Sequence, residues 1–110
     1  MTSVTTPAIV IISTAATTEQ AGRIGQTLLE ENLIACVNII PGVKSLYRWQ
    51  GKIQQDDEVV MLIKTLKDKQ VAVFERIKQL HDYDVPEIIA LELDSIDADY
   101  SDWLTKVIKT

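Results

Sequence analysis

Apolar residues fall along this chain in blocks of two kinds. Ala8-Ile9-Val10-Ile11-Ile12 is an unbroken run closed by Ser13-Thr14, the pattern of a strand buried on both faces. Ala21, Ile24, Leu28 and Leu29 follow at helical spacing and predict a helix. Thr17 and Gln20 stand three apart at its start, as in a capping box, and Asn32 can take the left-handed conformation that ends it. Leu33 to Ile40 reads as a second strand, interrupted at Pro41-Gly42 and resumed from Val43 to Trp49. Proline removes a ladder donor and glycine relaxes the backbone, so the dipeptide predicts a bulge or bend inside one long strand.

Gln50-Gly51 marks a turn, and Lys52 to Thr65 returns as a third strand. Val73, Phe74, Ile77 and Leu80 put an apolar face on a second helix, expected over Asp68 to His81 with Asp68 as its cap. Ile88 to Leu93 alternates as a fourth strand. Asp97 then caps a last helix, whose apolar stripe is Tyr100, Trp103, Leu104, Val107 and Ile108. The order β-α-β-β-α-β with right-handed crossovers predicts an α+β fold. Its four-stranded antiparallel sheet would carry both helices on one face, the ferredoxin-like arrangement, with the last helix an addition. A single domain is expected over residues 8–110, behind a short flexible tail at 1–7 rich in Thr.

The central hairpin is long for such a domain. Cys36 to Trp49, mostly extended, spans about 45 Å at roughly 3.3 Å per residue. A compact globule of this size is only some 35 Å across, from a radius of gyration of about 13 Å. Leu46, Tyr47, Trp49 and Ile53 would therefore stand clear of the core, on a ribbon that is marginal alone in water. Self-association is the expected answer, and a hairpin folded back at Pro41-Gly42 is the alternative.

Composition narrows the partners. The net charge is −5, from 16 acidic and 11 basic side chains. The densest basic stretch, Lys64, Lys67 and Lys69, is broken by Asp68. Both facts speak against nucleic-acid binding. The apolar run at 8–12 is too short for a membrane span or a signal-peptide core. With one cysteine, Cys36, no intrachain disulfide can form, and the cytoplasm is the expected location.

Candidate chemistry is sparse. His81 is the only histidine and stands where a helix should end, with no local nucleophile or second metal ligand. Cys36 lies in an apolar strand, where a thiol packs as a small hydrophobe. The segment His81-Asp82-Tyr83-Asp84-Val85-Pro86-Glu87 offers an imidazole, three carboxylates and a phenol. It reads as a divalent-cation loop or as a solvated acidic loop. No Walker loop, GxGxxG, CxxC or nucleophile elbow is present, and an enzyme is not expected.

Several blocks nonetheless share a pattern. Ala35-Cys36-Val37-Asn38-Ile39-Ile40-Pro41-Gly42, Ser45-Leu46-Tyr47-Arg48-Trp49-Gln50-Gly51-Lys52-Ile53 and Glu58 to Thr65 come first. His81-x-Tyr83-x-x-Pro86-Glu87 and Tyr100-x-x-Trp103-Leu104 follow in order. Together they resemble the CutA divalent-cation tolerance family over almost the whole chain from Ala8. The resemblance implies a ferredoxin-like subunit in a homotrimer built like the PII signalling proteins. It also implies a non-enzymatic role in tolerance of copper and other divalent metals. The copper ligands proposed for the family are a Cys ending the first strand and a His pair ending the second helix. Those positions read Ser13 and Leu80-His81 here, which leaves His81 as the candidate metal ligand. Tyr47, Trp49, Glu58, Lys64, Tyr83 and Glu87 resemble a cleft between subunits, with Lys64 supplying charge and the aromatic rings a stacking wall. Packing of Tyr47 and Trp49 against a neighbour is the other reading. A PII-like sensor of a small anionic metabolite and a structural trimeric scaffold remain alternative functions.

Overall fold

The structure, a computed structural model, describes residues 7–109. The elements are β1 (Ala8–Ala15), α1 (Thr18–Glu30), β2 (Cys36–Trp49), β3 (Lys52–Leu66), a 3-10 turn (Lys67–Lys69), α2 (Gln70–Leu80), β4 (Ile88–Glu92) and α3 (Ala98–Lys109). The strands form one antiparallel sheet in the order β2-β3-β1-β4. The expected α+β class and element order are observed. The flexible tail was expected at positions that lie outside the described residues, except for Pro7. There the carbonyl accepts a hydrogen bond from the Lys67 amide at 2.8 Å.

Local chemistry explains the boundaries. Thr17 Oγ1 accepts the Gln20 amide at 3.1 Å from an extended backbone, and α1 starts behind it. Asn32 closes the helix at φ 58°. Its amide reaches Leu29 O and the Leu33 amide reaches Leu28 O, both at 3.0 Å. This is the paired closure of a Schellman motif. It also corrects the expected start of β2: Leu33 gives its N–H to the helix, so ladder pairing begins at Cys36. Asp68 is a second correction. A 3-10 turn precedes α2, no side chain caps the helix, and the Asp68 carboxylate lies 3.5 Å from Lys109 Nζ. Asp97 does cap α3, accepting the Tyr100 amide at 3.1 Å.

Alternation divides the sheet into two unlike faces. Ile9 and Ile11 of β1 and Val59, Met61 and Ile63 of β3 pack with Ala21, Ile24 and Leu28 of α1 and Val73 and Ile77 of α2. Gly25 lets α1 approach β2 closely, since a Cβ there would lie 2.8 Å from Val37 Cγ1. On the other face, Leu104 and Ile108 of α3 cover Ala8, Ala35 and Leu66 at one end only. Beyond that helix Val10, Ile12, Val60 and Leu62 are half-buried. Ile89 and Leu91 are about half exposed, at 47% and 48%. Tyr100 and Trp103, part of the expected apolar stripe of α3, stack on each other with centroids 5.5 Å apart and remain exposed.

The hairpin leaves the body of the molecule. β1 pairs with β3 only from Val59 to Leu66, so residues 43–58 form a two-stranded ribbon. The chain accordingly measures 56 × 27 × 22 Å, and the hairpin does not fold back. Gln50 and Gly51 both have positive φ, 51° and 78°, as a type I′ turn requires. At Pro41-Gly42 the register shifts, with Ile40 opposite Val60 but Val43 opposite Glu58. Leu46 and Ile53 near the tip are 65% and 73% exposed. Each such side chain forgoes about 1.5–3 kcal/mol available from full burial.

The closure at Asn32 is open to direct test. Asn32→Gly should unfold at the same temperature as wild type or higher, at one fixed protein concentration. Asn32→Val should lose about 1–2 kcal/mol, the cost of a left-handed backbone for a branched residue. Equal stability of the valine variant would contradict the assignment.

Candidate functional site

A bulge decides what the ribbon displays. Side chains alternate in a strand, and one inserted residue moves all later ones to the opposite face. Before Pro41-Gly42 the even residues Asn38 and Ile40 lie opposite Leu62 and Val60. After it Ser45, Tyr47 and Trp49 lie opposite Asp56, Gln54 and Lys52. Tyr47 and Trp49 thus share a face with Asp56 and Glu58. Tyr47 and Asp56 are diagonal neighbours, and the phenol donates to Asp56 Oδ2.

The loop after α2 meets this face at the hairpin base. Tyr83 Oη donates to Glu58 Oε2 at 2.9 Å. Burial first, then this hydrogen bond and the nearby Glu58 and Asp56 charges, push the Tyr83 phenol up to about 12. Tyr47 is raised too, chiefly by its bond to Asp56. A phenol that gives its proton to a carboxylate resists becoming an anion beside it.

His81 holds that loop to β1. Its ring is buried, with Nε2 2.6 Å from Thr14 O, and Nδ1 accepts the Tyr83 amide at 3.0 Å. A carbonyl only accepts and an amide N–H only donates, so the ring is the neutral tautomer with its proton on Nε2. Both nitrogens are engaged. The rings of His81 and Tyr83 lie 4.7 Å apart, centroid to centroid. Ser13, fully buried, donates to Glu87 O at 2.7 Å. The copper set implied by the resemblance therefore does not fit. Ser13 serves the loop backbone, Leu80 has no donor atom, and His81 offers no free lone pair while its two bonds stand. Among the described residues no three His, Cys, Asp or Glu side chains converge as a metal site.

The six cleft candidates divide unevenly. Tyr47, Glu58 and Tyr83 gather at the hairpin base with Asp56, a residue that no sequence motif singles out. The two-residue turn at Gln50-Gly51 already implied the register that places Asp56 diagonal to Tyr47. Trp49 stands nearer the tip, 58% exposed. Glu87 contributes its main-chain carbonyl. Lys64 is elsewhere, six residues along β3 from Glu58, or roughly 20 Å. Its ammonium donates to Asn38 Oδ1.

Comparison with known proteins agrees with this fold. The family model described as CutA1 divalent ion tolerance protein matches residues 9–107. A divalent-cation tolerance protein CutA from Thermus thermophilus is 45% identical, over 86% of this chain and 92% of its own length. The chloroplastic protein CutA 1 of Oryza sativa subsp. japonica is 43% identical over 94% of this chain. The chain spans only 58% of the rice protein's length. The crystal structure of the divalent ion tolerance protein CutA1 from Ehrlichia chaffeensis superposes with a TM-score of 0.91. It is 30% identical, with 96% of this chain and 98% of that one covered.

The Tyr83 assignment predicts a pH dependence. A phenol raised from 10.0 to about 12 contributes stability that is complete below the unfolded value and is lost as pH climbs from 10 to 12. Ultraviolet titration of the phenolate band should show a step near pH 12 that Tyr83→Phe lacks. The variant's stability should also fall less steeply over that interval. A step near pH 12 that survives in Tyr83→Phe would contradict the assignment.

Proposed function

Because the chain belongs to the CutA1 divalent ion tolerance protein family, we propose that it acts in divalent-cation tolerance as a self-associating, non-enzymatic protein of the cytoplasm. In this reading it is a homotrimer of ferredoxin-like subunits, built like the PII proteins. Family membership supports the tolerance role. The observation that carries the assembly is the bare apolar sheet face of Ile40, Val60, Leu62, Ile89 and Leu91, continued by the protruding ribbon. Exposed contiguous apolar surface on this scale calls for a partner, and a ribbon open on both edges gains most from one.

The protein contributes to tolerance by assembling and binding, without His81 as a copper ligand. The cleft lies at the hairpin base, where Tyr47 and Tyr83 form walls and Glu58 and Glu87 lie at the rim, with Trp49 further out toward the tip. Lys64 comes from a second copy, since within one chain it is too far away. A second reading, a PII-like sensor of a small anionic metabolite, is favoured by one observation. Lys64 has a neutral amide, not a carboxylate, as its partner. A scaffold for another protein is the third.

Light scattering with a copper titration tests the proposal. The mass should be three times the 12.3 kDa chain. Any response to copper should be the same in wild type and in His81→Gln, which keeps an N–H for Thr14 O. A monomer across the accessible concentration range would overturn the assembly. A copper response abolished by His81→Gln alone would overturn the assignment of His81 to the fold.

A further inference from the structure

The charges on the open sheet face are unbalanced in a particular way. Elsewhere, among the described residues, Lys44, Lys67, Arg76 and Lys109 pair with Asp57, Glu92, Glu31 and Asp68. Lys64 has no such carboxylate. It is half-buried at the end of the open face next to α3, with Val10 of β1 and Cys36 of β2 as its cross-strand partners. Its ammonium donates to the neutral amide of Asn38. A cation partly removed from water beside apolar groups is costly without an anion.

Glu58 is the mirror of this situation. It is also half-buried and on the same face, and its carboxylate is met by the Tyr83 phenol. A phenol hydrogen-bonds the charge without neutralising it, and among the described residues no cation pairs with it. Lys64 and Glu58 cannot meet within a chain, because roughly 20 Å of rigid strand separates them. Between them lie Val60 and Leu62, the apolar surface that self-association would cover.

We propose that Lys64 of one copy pairs with Glu58 of a second copy across this face, and that the pair sets the register of assembly. The inference rests on the self-association reading and specifies its contact. A chain of net charge −5 repels its own copies at a distance, so the complementary pair must act locally, at an interface that is otherwise apolar. The two charges sit at opposite ends of one patch. Each copy can therefore offer Glu58 to one neighbour and Lys64 to the other, as a closed ring requires. This gives Lys64 to the interface and takes it from an anionic ligand.

Zero-length carbodiimide crosslinking with peptide mapping reads the contact directly. A Lys64–Glu58 amide can form only between chains. Wild type should yield it, and Lys64→Met should not. A double-mutant cycle on the dissociation midpoint upon dilution supplies the second measurement, with circular dichroism checking the fold. Glu58→Gln, which can still accept from Tyr83, and Lys64→Met should each weaken assembly about 10-fold. The double variant should be no weaker than the poorer single one. Assembly with additive losses and no such crosslink would overturn the pairing while self-association stands. A monomeric wild type would overturn both.

Discussion

β2 passes from the body of the sheet into a free ribbon through a single extra residue at Pro41-Gly42, where Gly42 has φ 75°. The rest of the arrangement depends on that insertion. With strict alternation, Tyr47 and Trp49 would point away from Asp56 and Glu58. The open face would then lose both rings and, with Tyr47, the phenol that holds Asp56. The bulge also adds local twist to a ribbon that has no third strand. Position, exposure and chemistry of the hairpin base follow from one backbone irregularity that proline and glycine make inexpensive.

A second device ties the loop after α2 into this base. His81 bridges Thr14 of β1 and the Tyr83 amide, Tyr83 reaches Glu58 of β3, and Ser13 holds the Glu87 carbonyl. Four bonds join two strands and one loop with little apolar packing. Such a polar junction specifies geometry strongly because each buried group that lost its partner would be left unsatisfied. The single histidine is better understood as a neutral brace than as a ligand. The same residues that a metal-binding reading would recruit are already in use by the fold.

Much of the fold was legible in the residues because it follows from short-range chemistry. Thr17, Asn32 and Asp97 act where their side chains predict, and Gln50-Gly51 turns as expected. The apolar periods assign all four strands and three helices. The failures have physical causes. Leu33 looks like a strand residue by hydropathy, but its amide completes the closure of α1. Asp68 has the side chain of a cap, but its carboxylate faces Lys109 at the end of α3, a tertiary choice that no local pattern reveals. At the site, Tyr47, Glu58 and Tyr83 were foreseen together through the family resemblance. Asp56 was missed because its role depends on strand register. Lys64 lies some 20 Å from the others within one chain, and the cleft that the resemblance implies lies between subunits, so a second copy would have to supply it.

In the proposed assembly the open face and its ribbon are completed by other copies of this chain. Hydrogen exchange read by mass spectrometry at high and low protein concentration addresses it directly. An isolated two-stranded ribbon is marginal in water and its amides should exchange fast. In the assembly, residues 43–58 should be as strongly protected at high concentration as the β3 segment from Val59 to Leu66, and should lose that protection on dilution. Fast exchange of the ribbon at every concentration would contradict it.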